Sequence, residues 1–319
     1  MRGPGRRIEW AVAGTLAGLA IARLTGADRL RVAESWTVGV LSFTPQLAAG
    51  AGVSALVLRR NGPAVVAAIA GGALAATVIP RATRSRQPAA TGPLLRILTA
   101  NLLAGRGSAD ALAELAARKD ADVVFVQELT DGAAGRLHRA GLSAFLPHTT
   151  GPGTSPGRLG STIYSRFPLL AAAAPVAGPS AARATARLTL PTGQVVRLIC
   201  VHAQPPKPPW SPAATARWRG QLSALPPPGA DPVILAGDFN STVDHAAFRR
   251  LLALGYADAA GQVGRGLALT WGPRPHLPPA LLAIDHVLVS RPCAVLATST
   301  HVLPGSDHRA VYAEVRLPR

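Results

Sequence analysis

Hydrophobic and polar positions divide the chain into two unlike parts. From Trp36 to Leu58 there are 23 residues without a charge, and Gly62 to Pro80 form a second uncharged stretch beyond Arg59-Arg60-Asn61. Neither stretch has a polar face. About 20 apolar residues let a helix cross the hydrocarbon core of a bilayer, so 36–58 and 62–80 predict a transmembrane hairpin with a short basic turn. Residues 8–24 form a third, shorter candidate that contains Glu9. Arg2, Arg6 and Arg7 ahead of it also fit a cleaved leader. Because two further spans follow, residues 1–80 are read as a retained anchor of two to three helices in a bacterial cell membrane.

Three spans would leave the two ends on opposite sides. With the N-terminus inside, the inner segments hold Arg2, Arg6, Arg7, Arg59 and Arg60, and the outer ones Arg23, Arg29, Arg31, Arg81, Arg84 and Arg86. The positive-inside count therefore does not choose an orientation. The tight Arg59-Arg60 turn favours a cytoplasmic turn and an extracytoplasmic C-terminal part.

Residues 81–93, rich in Pro, Gly, Ser and Arg, have a linker's composition. From Leu94 the pattern changes to short apolar runs between turn signals: LRILTAN, DVVFVQE, STIYSR, VVRLICVH, PVILAGDFN, AIDHVLVS and AVYAEVRL. Their Val, Ile and Leu content is strand chemistry. Helical periodicity lies between some of them, at Ser108–Arg118 (Ala111, Leu112 and Leu115 on one face) and His245–Leu254. Residues 94–319 are therefore expected to form an α/β (α+β) domain of face-to-face sheets with helices outside.

Composition changes the picture only a little. Lys and Arg number 33 against 16 Asp and Glu, a net charge of +17, and all the basic residues except Lys119 and Lys207 are Arg. This matches the coding bias of a GC-rich bacterial genome, although a basic surface also attracts nucleic acid or an anionic membrane face. Aromatic residues are too scattered for a single-strand stacking platform. Cys200 and Cys293 have neither zinc spacing nor a disulfide framework and read as small buried hydrophobes.

The candidate chemistry sits where the apolar runs end. Asn101 closes the first run, Gln127 and Glu128 the second, His202 the fourth, and Asp238 and Asn240 the fifth. Asp285-His286 opens another, and Asp307-His308 precedes the last. Hydrolysis of a phosphate ester needs oxygen ligands for a hard cation, a base for the water and donors for developing charge. If these edges converge they supply all three. A Mg2+ ion takes a few carboxylate or amide oxygens, which Glu128, Asn101 and Asp307 can offer.

Residues 94–317 resemble the endonuclease/exonuclease/phosphatase superfamily, which has the DNase I-like fold. The resemblance rests on Asn101-Leu102, Gln127-Glu128, Ser165-Arg166-Phe167-Pro168, Val201-His202, Gly237-Asp238-Phe239-Asn240, Thr270-Trp271, Asp285-His286 and Ser306-Asp307-His308, in the family's order. It implies a four-layer αββα sandwich of two mixed sheets with Mg2+ or Mn2+ at one sheet edge. By motif position Glu128 is the principal metal ligand, assisted by Asn101 and Asp307. Asp238 and Asn240 position the attacking water and the phosphate. His308 acts at the reacting phosphate, oriented by Asp285, and His202 donates to a non-bridging oxygen. Either Asp238 or His308 takes the water's proton. Gln127, Arg166, Trp271 and His286 are expected behind these residues or on the substrate side. The Gly- and Pro-rich segment 151–159 is a candidate for substrate-reading loops.

The expected function is a membrane-anchored, metal-dependent phosphoesterase in which water attacks a phosphodiester in line. Nucleic acid and phospholipid headgroups are both candidate substrates, and the lipid bilayer is a partner through the N-terminal spans. No protein partner can be inferred. The alternatives are a phosphomonoesterase acting on a small phosphate and a tethered, non-catalytic binding module, the latter opposed by the intact set of polar residues.

Overall fold

The computed structural model describes residues 4–29, 34–58, 61–150, 159–172, 184–206, 211–273 and 280–319. Arg59, Arg60 and residues 151–158 lie outside the described residues.

Among the described residues, twelve strands make two six-stranded sheets. The first contains β1 (Leu94–Asn101), β2 (Val123–Leu129), β3 (His148–Thr149), β4 (Gly160–Ser165), β11 (Ala294–Val302) and β12 (Arg309–Arg316), in the order β11-β12-β1-β2-β4-β3. The second contains β5 (Leu169–Ala171), β6 (Thr185–Thr189), β7 (Val195–His202), β8 (Val233–Asp238), β9 (Tyr256–Asp258) and β10 (Asp285–Ser290), in the order β5-β6-β7-β8-β10-β9. Both are mixed: β1 runs parallel to β2 and β7 parallel to β8, while β1–β12 and β8–β10 are antiparallel.

The continuous apolar runs are explained by burial on both strand faces. Successive side chains of a strand point to opposite faces. Leu95 and Ile97 of β1 and Val196, Leu198 and Cys200 of β7 therefore meet in one cluster between the sheets, which also holds Cys293. Leu98 and Ala100 turn outward to pack under α5 (Ala109–Arg118), α6 (Asp131–Arg139) and α7 (Leu142–Phe145). Ile199, Val201 and Leu235 turn the other way, under α8 (Pro212–Ser223) and α9 (Ala246–Ala253). A short helix, α10 (Ala259–Gln262), follows β9. The two helical patterns read from the sequence are thus α5, whose N-cap Ser108 accepts from Ala111 N, and α9, whose N-cap is His245.

The N-terminal region departs from its predicted boundaries. Its longest helix is α1 (Pro4–Thr25), not one of the two uncharged stretches. The 36–58 stretch is not one helix: α2 (Glu34–Leu41) ends at a turn and α3 (Thr44–Leu58) begins beyond it. Pro45 is the reason, since it lacks an N–H and its ring collides with the carbonyl four residues back, here that of Leu41. Thr44 Oγ1 takes that carbonyl instead, at 2.7 Å. With 15 residues, α3 is about 22 Å long. The fourth helix, α4 (Asn61–Val78), packs against α1 and α3 around Leu16, Ala20, Ala51, Ala67 and Leu74.

Residues 81–93 are not a free linker. Ser85 N donates to Gln262 O, Gln87 bonds Val295 through both its amide atoms, and Gly92 N donates to Leu317 O. The segment lies strapped along the sandwich.

Candidate active site

Strand direction gathers the polar residues at one edge. β1 ends at Asn101, opposite Gln127 on β2, with Glu128 the next residue along, and β7 and β8 end together at His202 and Asp238. The antiparallel β10 starts at that edge, with Asp285 opposite Asp238, and β12 starts there too, directly after His308. Asn101 joins the sheets: its Nδ2 donates to Asp238 Oδ2 at 3.0 Å and to Glu128 Oε1 at 3.2 Å, while its Oδ1 accepts from Leu103 N.

Glu128 sits at a β-bulge between Gln127 and Leu129 with φ 53°. Bulges re-aim side chains at sheet rims, and a non-glycine residue at positive φ is strained unless its surroundings hold it. Here Ala104 N donates to Oε2 at 2.7 Å, and His202 Nε2 stands 3.5 Å from Oε1. Burial pushes the Glu128 carboxyl up, but His202, Asn101 and the Ala104 amide outweigh it and bring the pKa down to about 2. The glutamate is an anion at any physiological pH. Leu103, Ala104 and Asn240, all beside the site, are also at positive φ.

Asp238 is buried at 1 % exposure and accepts from Asn240 N (2.8 Å) and Asn240 Nδ2 (3.0 Å) as well as from Asn101. Burial, with the nearby charge of Asp285, raises its pKa to about 6 against the opposing pull of His308 and His202. The preceding Gly237, at φ 145°, allows this edge to close, because a Cβ there would lie 1.9 Å from Val201 O on β7.

His308 Nδ1 faces Asp285 Oδ2 at 2.9 Å, which leaves Nε2 directed at Asp238 Oδ2 and Asp307 Oδ1, each 3.8 Å away. Burial would lower the imidazole's pKa. The charges of Asp285 and Asp238 win and lift it to about 10. Asp285 is aligned by Thr270 Oγ1, which accepts from the backbone N–H groups of Ile284 and Asp285 at 3.0 Å. Trp271 Nε1 donates to Asp307 Oδ2 at 3.0 Å, and Ser306 Oγ bridges Asn101 O and His308 N.

Two expected residues stand away from the edge. His286 points away from the edge, under α9, where it meets Asp258 at 3.2 Å and packs on Phe239 and Phe248. Adjacent strand residues face opposite sides, so Asp285 and His286 could not both enter the site. Arg166 lies at the far end of the sheet, paired with Asp120 (2.5 Å) and Asp122 (3.3 Å). Gln127 is fully buried between the sheets, bonded to Thr99 Oγ1 and Cys200 Sγ. The supporting roles of Thr270 and Ser306 were visible in the sequence only as letters of motifs, since the bonds that define them span the fold.

Two groupings are candidates for holding a cation. Asp238, Asp285 and His308 offer ligand atoms within 4.8 Å of one another. His308 and Asp285 are already committed to each other, so this trio is an ion-pair network rather than a cage. The second grouping fits a hard cation better. Glu128 is a permanent anion, and Asp307 Oδ1 is buried without a hydrogen bond. An unsatisfied buried carboxylate oxygen is costly unless a cation completes it. Asn101 adds an amide oxygen with a second lone pair.

Solved structures share this architecture. D. rerio TDP2 complexed with a single-strand DNA product is 21% identical, with 70% of this chain and 98% of that chain covered and a TM-score of 0.52. SmcL is 18% identical over 69% and 98%, with a TM-score of 0.51. An endonuclease/exonuclease/phosphatase family protein from Bacteroides thetaiotaomicron is 16% identical over 70% and 98%, with a TM-score of 0.52. At such identities the likeness establishes the fold. No curated protein sequence matches the chain. The model of the Endonuclease/Exonuclease/phosphatase family matches residues 98–308, from the middle of β1 to His308. With well over half its length matched and the sheet edge of that fold in place, the chain belongs to the endonuclease/exonuclease/phosphatase family.

Proposed function

We propose that this protein is a membrane-anchored, divalent-metal-dependent phosphoesterase that hydrolyses a phosphodiester by in-line attack of water. The observation that carries the reading is the convergence of Asn101, Glu128, His202, Asp238, Asn240, Asp285, Asp307 and His308 at one edge, with their hydrogen bonds largely made before any substrate arrives.

Asp238, fixed on three donors and unable to turn, accepts a proton from the attacking water. Three carboxylates around His308 keep it an imidazolium, and its Nε2 donates to the phosphoryl oxygens as charge builds on them. Asp285 fixes the ring's orientation through Nδ1. Asn240 holds Asp238 and lines the same edge, and His202, whose pKa is raised against its burial by Glu128 and Asp238, adds a second donor beside Glu128. Glu128, Asp307 and Asn101 would hold Mg2+ or Mn2+, which when bound supplies Lewis-acid polarisation of the phosphoryl group.

Three observations support the anchor. Helical segments Arg6–Thr25 and Gly62–Ala82, of 20 and 21 residues, are long and apolar enough to cross a membrane, and only 22% and 33% of their apolar windows are buried. A core helix would be mostly buried. Here Ile8, Ile21, Leu24, Val65 and Ile69 face outward. Trp10 packs on Gly62 at one end of the bundle and Trp36 is exposed at the other, as interfacial aromatic residues are. The C-terminal end of α1 gives Arg23 to Asp244, a role that a removed leader could not fill. The short Arg59-Arg60 connection favours a cytoplasmic turn and an extracytoplasmic catalytic domain.

The deciding experiment is hydrolysis of bis(p-nitrophenyl) phosphate by the purified full chain with Mg2+ or Mn2+, with EDTA as control. Metal-dependent turnover that Glu128→Gln and Asp238→Asn both abolish supports the reading. Turnover unchanged by EDTA and by both substitutions refutes it.

A further inference from the structure

The helical bundle and the sandwich are held together by buried charge. Asp244, with no side-chain exposure, takes Arg23 Nε at 2.6 Å from the end of α1 and both terminal nitrogens of Arg81, three residues past the end of α4, at 2.5 and 2.8 Å. Asp28 Oδ2 accepts from Ala246 N at 2.6 Å and so caps α9. His245 Nε2 bonds Val38 O at 2.9 Å, and Val38 is buried among Trp218, Phe239 and Phe248. A flexible tether would make none of these contacts. Removing one partner from such a buried pair is strongly destabilising, so bundle and sandwich move as one body.

The contacts fall beside the catalytic edge. Asp244 follows Asp238 by six residues, a reach of at most about 20 Å. A second route starts at α3: Gln46 Nε2 donates to Leu281 O at 2.9 Å, Leu281 N donates to Trp271 O, and Trp271 Nε1 holds Asp307. The exposed residues Trp36, Phe43 and Ile79 lie at this same end of the bundle and mark where an apolar exterior gives way to the polar domain. Phe43 is three residues from Gln46. This end of the bundle therefore lies next to the loop that carries Trp271.

Building on the phosphoesterase reading, we propose that the docked bundle holds the Asp238–His308 edge against the bilayer surface, and that the phosphoester it hydrolyses belongs to a lipid in the same membrane. A lipid phosphate lies in the thin headgroup layer just outside the hydrocarbon, within reach of a site held there. A nucleic acid would have to approach the same surface against the leaflet's own phosphates. The exposed Arg29, just beyond the end of α1, suits an anionic leaflet.

The test uses the full chain reconstituted in phosphatidylethanolamine–phosphatidylglycerol vesicles with Mg2+, mixed with protein-free vesicles of the same lipids in deuterated form. Mass spectrometry counts the hydrolysed lipid of each kind. Lipid in the protein's own vesicles should be consumed at least about tenfold faster than lipid in the others. In Asp244→Asn, lipid turnover should fall about tenfold further than turnover of bis(p-nitrophenyl) phosphate. Equal consumption of both lipid pools overturns the proposal. So does a parallel fall of both activities in a folded Asp244→Asn protein, or cleavage of a DNA oligonucleotide without lipid hydrolysis. Failure to cleave bis(p-nitrophenyl) phosphate at all would instead bring down the phosphoesterase reading and this inference with it.

Discussion

His308 and Asp285 meet across the two sheets, with His308 Nδ1 2.9 Å from one oxygen of Asp285 and 3.1 Å from the other. Asp285 comes from the start of a strand in one sheet, and His308 from the residue before a strand in the other. Their separation therefore reports how the sandwich closes. The pairing also dictates which imidazole nitrogen faces the substrate. Asp285→Asn keeps the shape but removes the charge that fixes the ring. It should lower kcat about 10²–10⁴-fold with KM little changed, as measured on bis(p-nitrophenyl) phosphate. A change confined to KM would show that Asp285 serves binding instead.

Glu128 and Asp307 can be separated from the acid–base residues by metal affinity. Mn2+ binding, followed by electron paramagnetic resonance without any substrate, should weaken at least about tenfold in Glu128→Gln and in Asp307→Asn. It should be nearly unaffected in Asp285→Asn. Wild-type affinity in both ligand variants would move the ion to the Asp238–Asp285–His308 trio.

Arg166 and His286 were candidates by motif, and geometry places both outside the catalytic edge. Arg166→Ala leaves Asp122, 3 % exposed, without its ion-pair partner, and should cost about 1–3 kcal/mol of stability. His286→Ala removes the partner of Asp258 beneath α9 and should cost about 3 kcal/mol. Turnover per folded molecule should stay within about threefold of wild type in each. A far larger loss of kcat at unchanged melting temperature would return either residue to the site.

Much of this was legible because of how strands are buried. β1, β2, β7 and β8 pack on both faces, so their apolar runs are continuous, and the polar residue that ends each run stands out. Strands towards the sheet margins lack that contrast: β6, second from the edge of its sheet, mixes buried and exposed positions, and the edge strand β11 carries Thr298, Ser299 and Thr300 in succession. The break at Ser42-Phe43 escaped because a count of uncharged residues does not register a proline's missing N–H. Asp244 escaped for a different reason. Its partners lie 221 and 163 residues away, and nothing in Ser241-Thr242-Val243-Asp244 distinguishes it from a solvated loop carboxylate. For His286 a motif sets two neighbouring letters side by side, whereas the strand sends Asp285 and His286 to opposite faces.

Asp244 also predicts how the two parts of the molecule respond to pH. Its burial raises the carboxyl's pKa, but Arg81 and then Arg23 outweigh it and hold the group below its ordinary value of 3.8. A carboxyl lowered on folding contributes stability that is fully present above its unfolded value and lost as pH falls through the folded one. The clamp should therefore be intact at neutral pH and weaken only below about pH 4. Asp244→Asn has no charge to lose and should lack this component. At pH 7 the variant should be less stable by about 3 kcal/mol, and the gap should narrow as pH drops below about 4. Thermal unfolding in detergent micelles, followed by circular dichroism from pH 3 to pH 8, measures it. A gap that stays constant down to pH 3 would mean that the loss in Asp244→Asn comes from packing, and that the two arginines do not depend on this carboxylate's charge.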